Sequence, residues 1–390
     1  MKILLLYDYP PSPGGLATQG DLMLRGLREI GADAHAVNLE SALEKEWCYR
    51  WMDPDVVLGV GYWGHSPHLI LHPQRFGMTA VPWLVVNGYL GTYLEILNRL
   101  PLILVTSNWV KQVYARDGVE ESRLEVLPVG CDTESFSPRP RDDRRVQAVR
   151  DALGVGKDEL MILTVGGDAA SKGAQEVMQA LALIGNRAPA WKYVCKVWPQ
   201  GRTDVQNQAD LQLAGSLGID KNVVYSTGKV SREFMPYLLS ACDIYAAPSR
   251  LEGFGMTQVE ANACGRPVIG IRAMGMLDTM VHNQTALLAG VAQEVRIRET
   301  ILSADHGCAD PHRVVFRRPR TADYRASVHD IATYLLRLMN DPQMRQRMGT
   351  AGRQRAIELF HYRTVAQRLL NILPRYLEVA REQQQHACAG

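Results

Sequence analysis

At 390 residues the chain is longer than one hydrophobic core serves well, so two domains are expected. An apolar share of 46% and a charged share of 22% are those of a globular protein and exclude a disordered one. A net charge of only +2 gives no overall field for gripping a polyanion, which sets nucleic acid aside as a partner.

In chain order, Lys2–Tyr7 is a short apolar run that reads as a buried parallel strand. Gly20–Ile30 follows with Leu22, Leu24, Leu27 and Ile30 at roughly helical spacing and Gly31 as a stop. Val56–Val60, Trp83–Val86 and Leu102–Thr106 are further strands of the same kind. At Phe136–Arg145 the character changes to Pro138, Pro140 and dense charge, the composition of a linker. The alternation then restarts with strands at Met161–Val165, Tyr193–Val197, Val223–Tyr225, Ile244–Ala246 and Val268–Ile271, and with helices at Ala174–Leu183 and Phe234–Ala241. Gln293–Arg325 is rich in arginine and reads as a solvated face, with attachment of Arg317 and Arg318 to anionic lipid or a phosphorylated acceptor as the competing use. Val328–Met339 and Thr364–Leu373 are amphipathic helices.

Strand–helix alternation of this kind implies an α/β protein of two Rossmann-like, doubly wound parallel sheets in series. The expected divisions are 1–140, 141–355 and a last helical segment 356–390 that packs back towards the first domain. Seven cysteines lack a Cys-x-x-Cys pair or His–Cys ligand spacing, which points to a reducing compartment and no metal. The start, Met1–Asp8, is too short in apolar length for a signal peptide, and no run of about 18 apolar residues occurs. The expectation is a cytoplasmic protein, with peripheral contact at the inner membrane face left open. Oligomeric state is not legible.

Three constellations carry chemistry. Tyr9–Leu16 follows the first strand and places Gly14 and Gly15 before a helix, where backbone amides can meet an anion. It lacks the Gly-x-Gly-x-x-Gly spacing, and a plain strand-to-helix turn explains it equally well. Val165–Gly173 repeats the arrangement with Gly166, Gly167 and Lys172. A cation at a helix start is misplaced unless an anion lies beside it, although a solvated loop lysine is the bland alternative. The third, Pro248–Pro267, holds Arg250, Glu252, Phe254, Gly255, Met256 and Glu260 between two strands. Thr257 and Glu260 fit a capping box, which would account for Glu260 structurally. Glu252 has no such account, and a carboxylate there can accept hydrogen bonds from sugar hydroxyls.

In this order the motifs resemble the retaining family 4 glycosyltransferases of the GT-B fold. The likeness covers nearly the whole chain, from the Pro-Pro-x-x-Gly-Gly start through Leu127–Asp132 and Lys172-Gly173 to the glutamate pair Glu252 and Glu260. It implies a donor site in the interdomain cleft and transfer of a hexose-type sugar from a nucleotide-diphosphate sugar to a glycan, lipid-linked or small-molecule hydroxyl. By the same resemblance Glu252 and Lys172 are catalytic, with Asn87 where relatives carry a histidine. Gly14, Gly15, Gly166, Gly167, Arg250, Phe254, Gly255, Met256 and Glu260 bind the donor, with Glu260 on the ribose. No divalent metal or other cofactor is implied, because the lysine and helix dipoles neutralise the departing diphosphate. The chain departs from the pattern at Gly167 (usually arginine), Asn87 and Asp278. Lys196 or Arg250 could replace the missing cation, and His65 the histidine. A non-catalytic nucleotide-sugar binding subunit and a GT-B epimerase are the alternatives.

Overall fold

The computed structural model describes residues 1–198, 202–308 and 310–388. Two compact units are found, one of Met1–Gly130, Arg296–Thr321 and Phe360–Gly390, the other of Cys131–Val295 and Ala322–Leu359. The first division therefore falls after Gly130 rather than after residue 140. Cys131 and Phe136 are buried, and the Arg232 guanidinium lies 4.4 Å from the centre of the Phe136 ring. Arg144, expected in the linker, opens the helix Arg144–Ala152, which Asp143 caps through the amides of Arg145 and Val146.

The first unit is built on β1 (Lys2–Tyr7), β2 (Asp33–Asn38), β3 (Val56–Tyr62), β4 (Ala80–Val85), β5 (Ile103–Val105) and β6 (Leu124–Val126). All pair in parallel in the order β2-β1-β3-β4-β5-β6, with Leu5 beside Ala36 on one side and Leu58 on the other. Ile3 to Tyr7 are wholly buried, as a central strand covered on both faces requires. The helix Gly15–Glu29 begins earlier than its leucine spacing suggested. The last helix, Tyr362–Cys388, lies against it: the Tyr362 hydroxyl donates to Glu29 Oε2 at 2.7 Å, and Arg363 donates to the same oxygen.

The second unit holds β7 (Leu160–Val165), β8 (Trp191–Val197), β9 (Val223–Thr227), β10 (Ile244–Ala246), β11 (Val268–Ile271) and β12 (Ala286–Ala289), in the order β12-β11-β10-β7-β8-β9. Its core is formed by strand residues such as Met161, Val194, Tyr245 and Ile269, none of them exposed. The arginine-rich stretch is a paired ribbon, β13 (Val291–Leu302) and β14 (His312–Ala326), with both roots in the second unit and its middle in the first. Arg317 and Arg318 are exposed as expected, but the turn is not a solvated face. Leu302 is wholly buried in the first unit's core, His306 stacks on Trp63 at 5.9 Å, and Arg320 pairs with Asp117 at 2.8 Å.

Cys48, Cys131, Cys195, Cys242, Cys264 and Cys308 are buried free thiols. Among the described residues no helix is long and apolar enough to cross a membrane.

Candidate functional site

Strand order dictates where a ligand can sit. In the second unit the chain runs from β7 outward to β8 and β9, then returns to the other side of β7 to make β10. Loops leaving the carboxyl ends of β7 and β10 therefore diverge and open a crevice between them. Those two loops are Gly166–Gly173 and Ala247–Gly255, the stretches that carry Lys172 and Glu252. The first unit repeats the device, since β2 and β3 flank β1 and the loop after β1 carries Gly14 and Gly15.

Lys172 and Glu252 meet directly. Lys172 Nζ donates to Glu252 Oε2 at 2.6 Å, and the two side chains are 23% and 14% exposed. The other carboxylate oxygen accepts the Gly255 amide at 3.0 Å, and the Ser249 hydroxyl adds a longer bond of 3.3 Å to Oε2. Burial opposes the charged form of Glu252. The adjacent lysine and the Gly255 and Phe254 amides together outweigh it and hold the carboxyl below its ordinary range. Close backbone packing fixes the loop. Gly173 has φ +81°, and a Cβ on it would lie 2.4 Å from the Pro248 carbonyl. A Cβ on Gly275, whose amide donates to the Glu252 carbonyl at 3.1 Å, would lie 2.1 Å from the carbonyl of Gly253.

Glu260 is not part of a capping box. Gly255, with φ +93°, is the residue that starts the helix Met256–Ala263, so Thr257 is already its second residue and cannot cap it. Thr257 instead donates to Gln258 Oε1 at 3.1 Å. One oxygen of Glu260 accepts from Arg232 Nη2 at 2.5 Å, while Oε2 is buried with no partner. A buried carboxylate oxygen left without a donor is costly unless a ligand supplies one.

The remaining candidates divide. Gly166 is enclosed by Asp168 and the Lys172 chain, whereas a Cβ on Gly167 would meet only Trp198, at ordinary contact distance. Lys196 does not stand free to replace the missing arginine: it is 4% exposed, and its Nζ donates to the carbonyls of Val197 and Gly228. The Arg250 guanidinium is likewise committed, to Glu176 at 3.1 Å and Gln175 at 2.8 Å. In the first unit Gly14 precedes the helix with open space beside its Cα, Gly15 is the first helical residue, and Asn87 is exposed just after β4. His65 Nδ1 is buried without a partner, and burial lowers the pKa of the ring. Sequence reasoning passed over Ser249 and Gln258, which are wholly buried and joined at 3.0 Å behind Glu252, although both stand inside the motif. It also missed Met274, whose sulfur accepts the Glu252 amide at 3.3 Å, and Arg232, which no local pattern marks. Among the described residues no group of three or more His, Cys, Asp or Glu side chains is arranged to hold a metal ion.

Residues 146–307 match the family model described as glycosyl transferases group 1. Among curated proteins the chain is 27% identical over 282 residues to the MMP alpha-(1->4)-mannosyltransferase of Mycolicibacterium hassiacum, covering 72% of this chain and 55% of that one. It is 29% identical over 258 residues to the D-inositol 3-phosphate glycosyltransferase of Mycobacterium marinum, covering 62% and 53%. The chain thus spans about half the length of these relatives. In fold it is similar to Anabaena HepE in complex with UDP and glucose, with a TM-score of 0.72 at 15% identity over 96% of this chain and 99% of that one. The sucrose-phosphate synthase of Thermosynechococcus elongatus gives a TM-score of 0.71 at 16% identity over the full length of both. Residues 146–307 are thus similar to the group 1 glycosyl transferases, and the two parallel six-stranded sheets are those of the GT-B fold.

Proposed function

We propose that the chain transfers a hexose-type sugar from a nucleotide-diphosphate sugar to a hydroxyl of a carbohydrate or glycolipid acceptor, with retention at the anomeric carbon and without a divalent metal. The observation that carries this reading is the half-buried pair Lys172–Glu252, on the loops that follow β7 and β10, together with the partnerless Glu260 Oε2 of the adjoining helix Met256–Ala263. Relatives named as a mannosyltransferase and an inositol phosphate glycosyltransferase support a hexose donor and a hydroxyl acceptor.

In this reading the ribose hydroxyls donate to Glu260 Oε2, and the diphosphate takes Lys172 together with amides at the start of the helix Met256–Ala263. Glu252 then turns its acceptors to the sugar hydroxyls. Gly166 and Gly167 leave backbone room for the phosphates, and Phe254, Gly255 and Met256 line the sugar. Arg250 acts at one remove, by holding the loop through Glu176. As the bond to the anomeric carbon breaks, charge builds on the departing phosphate oxygen, where a fixed cation does most. That oxygen accepts the acceptor proton on the same face, so no protein base is required.

Transfer from UDP-, GDP- and ADP-hexoses, assayed with and without chelator, tests this. One donor should react at an unchanged rate in chelator and give product only when an acceptor is present. A strict metal requirement would overturn the donor-site model, product without acceptor would mark an epimerase, and donor binding without turnover a binding subunit.

A further inference from the structure

The opposite edge of the second sheet, where β10 and β11 begin, encloses a cavity of about 410 Å3 whose lining includes Asp243, Arg266, Arg345, Gln346, Thr350 and Arg353. Asp243 immediately precedes β10 and Arg266 lies just before β11, whereas Lys172 and Glu252 lie beyond the carboxyl ends of β7 and β10. The cavity is therefore separate from the candidate donor loops.

Its charge is not balanced. Asp243 is already engaged by Arg150 at 3.2 Å, Arg141 at 3.4 Å and the Met161 amide at 2.8 Å. No carboxylate pairs with Arg266, Arg345 or Arg353 among the described residues. Each is instead tethered to carbonyls through one nitrogen. Arg266 Nη2 reaches the Arg139 carbonyl at 3.1 Å, and Arg345 Nη1 reaches those of Leu338 at 2.5 Å and Met339 at 3.1 Å. Arg353 Nη1 reaches Ala263 at 2.6 Å and Phe136 at 3.0 Å. Capping helix ends explains the tethers of Arg345 to Leu338 and Met339 and of Arg353 to Ala263, and these two helix C-termini offset about one of the three charges. It does not explain why roughly two positive charges are left around a void, nor why Arg266 Nε is buried with no acceptor. A guanidinium fixed through one nitrogen keeps its remaining donors aimed, which is the arrangement that recognises phosphate. Thr350 and Gln346 add neutral polar groups to the wall.

We propose that this cavity binds a phosphate monoester, whose dianion matches the uncompensated charge. Calorimetry on the full chain with inorganic phosphate and with glycerol phosphate tests it, using Arg266→Gln and Arg345→Gln and leaving Arg353, which ties several carbonyls, unchanged. Each variant should weaken binding by about tenfold or more, Arg266→Lys should recover part of the loss, and Lys172→Gln should leave it untouched. Vesicles containing phosphatidic acid form the second arm. Glycerol phosphate binding alone assigns a free metabolite, and vesicle binding lost in both arginine variants assigns a lipid headgroup. No binding of any probe, binding indifferent to both arginines, or binding abolished by Lys172→Gln would overturn the site.

Discussion

Replacing Lys172 by glutamine separates what the residue does for the fold from what it does for the reaction. Its ammonium sits 2.6 Å from Glu252, with the two side chains 23% and 14% exposed. Removing one partner of a fully buried pair costs about 3–5 kcal/mol. Partial exposure, and the bonds Glu252 keeps from Gly255 and Ser249, reduce this to about 2 kcal/mol. For the second unit, about 200 residues unfolding on its own, that is roughly 4–8 °C in Tm. The pH dependence has a definite sign. The folded pKa of Glu252 is depressed from 4.5, so its stabilising contribution is present above that value and is lost as pH falls through the lowered one. In Lys172→Gln burial persists without the lysine, the carboxyl rises above its ordinary value, and mild acid neutralises it. The stability gap between variant and parent should therefore narrow from pH 7 towards pH 4. Turnover should fall about 10²–10³-fold, the usual effect of removing one preorganised group that stabilises developing charge. Adding Glu252→Gln should restore much of the stability and none of the turnover. If Lys172→Gln loses stability as calculated while transfer stays within about threefold of the parent, the pair is structural and the donor-site assignment fails.

Glu260→Gln should raise the donor KM by about tenfold with a smaller change in kcat, because the proposed role of that carboxylate is to hold the ribose and not the reacting carbon; a fall in kcat at constant KM would contradict that. Gly275→Ala forces the Gly253 carbonyl away from a Cβ 2.1 Å distant, so the urea midpoint should drop by the equivalent of about 1–3 kcal/mol, with donor binding weakened. An unchanged midpoint and affinity would show that the loop yields freely. Glu29 is held at about 2, first by the Tyr362 hydroxyl. Its support for the last helix is complete above 4.5 and lost as pH falls towards 2. Protection factors at residues 362–377, corrected for the intrinsic exchange rate, should fall over that range in the parent chain and be low already at neutral pH in Glu29→Gln.

Legibility in the sequence followed burial. The central strands of both sheets are continuous apolar runs because helices cover both their faces, and Ile244–Ala246 and Val268–Ile271 stand where the runs predict. Three outer strands escaped, two of them for the converse reason and the fully buried Ala286–Ala289 for its shortness alone. Asp33-Ala-His-Ala-Val-Asn in β2 mixes polar and small residues, and β6 and β12 are only three and four residues long. The ribbon β13–β14 is exposed along most of its length, so nothing periodic announced it. At the site, Glu252 and Lys172 were legible as polar residues with no structural explanation. Glu260 had a false one, because Thr257 mimics a cap that Gly255 has already displaced. Arg232 could not be read at all: its meaning lies in a partner on another element.

The hydrogen bonds among Lys172, Glu252 and Gly255 also constrain how the proposed donor would be received. Lys172, Glu252 and the Gly255 amide already satisfy one another, so a diphosphate gains the lysine only by taking it from Glu252. The net return on that exchange is small unless the sugar hydroxyls simultaneously replace the lysine as partners of the carboxylate. Glu260 differs, since a donor to Oε2 breaks no existing bond and relieves a buried acceptor. Affinity should therefore reside mainly in the nucleoside, while the diphosphate and sugar together rearrange the pair. Neither half alone completes that rearrangement, which ties charge on the lysine to the presence of an intact nucleotide sugar. With Gly167 in place of an arginine and Lys196 bound to carbonyls, no second cation in this loop blunts that dependence. If the proposed transfer is right, glycine at position 167 makes the reaction depend more heavily on Lys172.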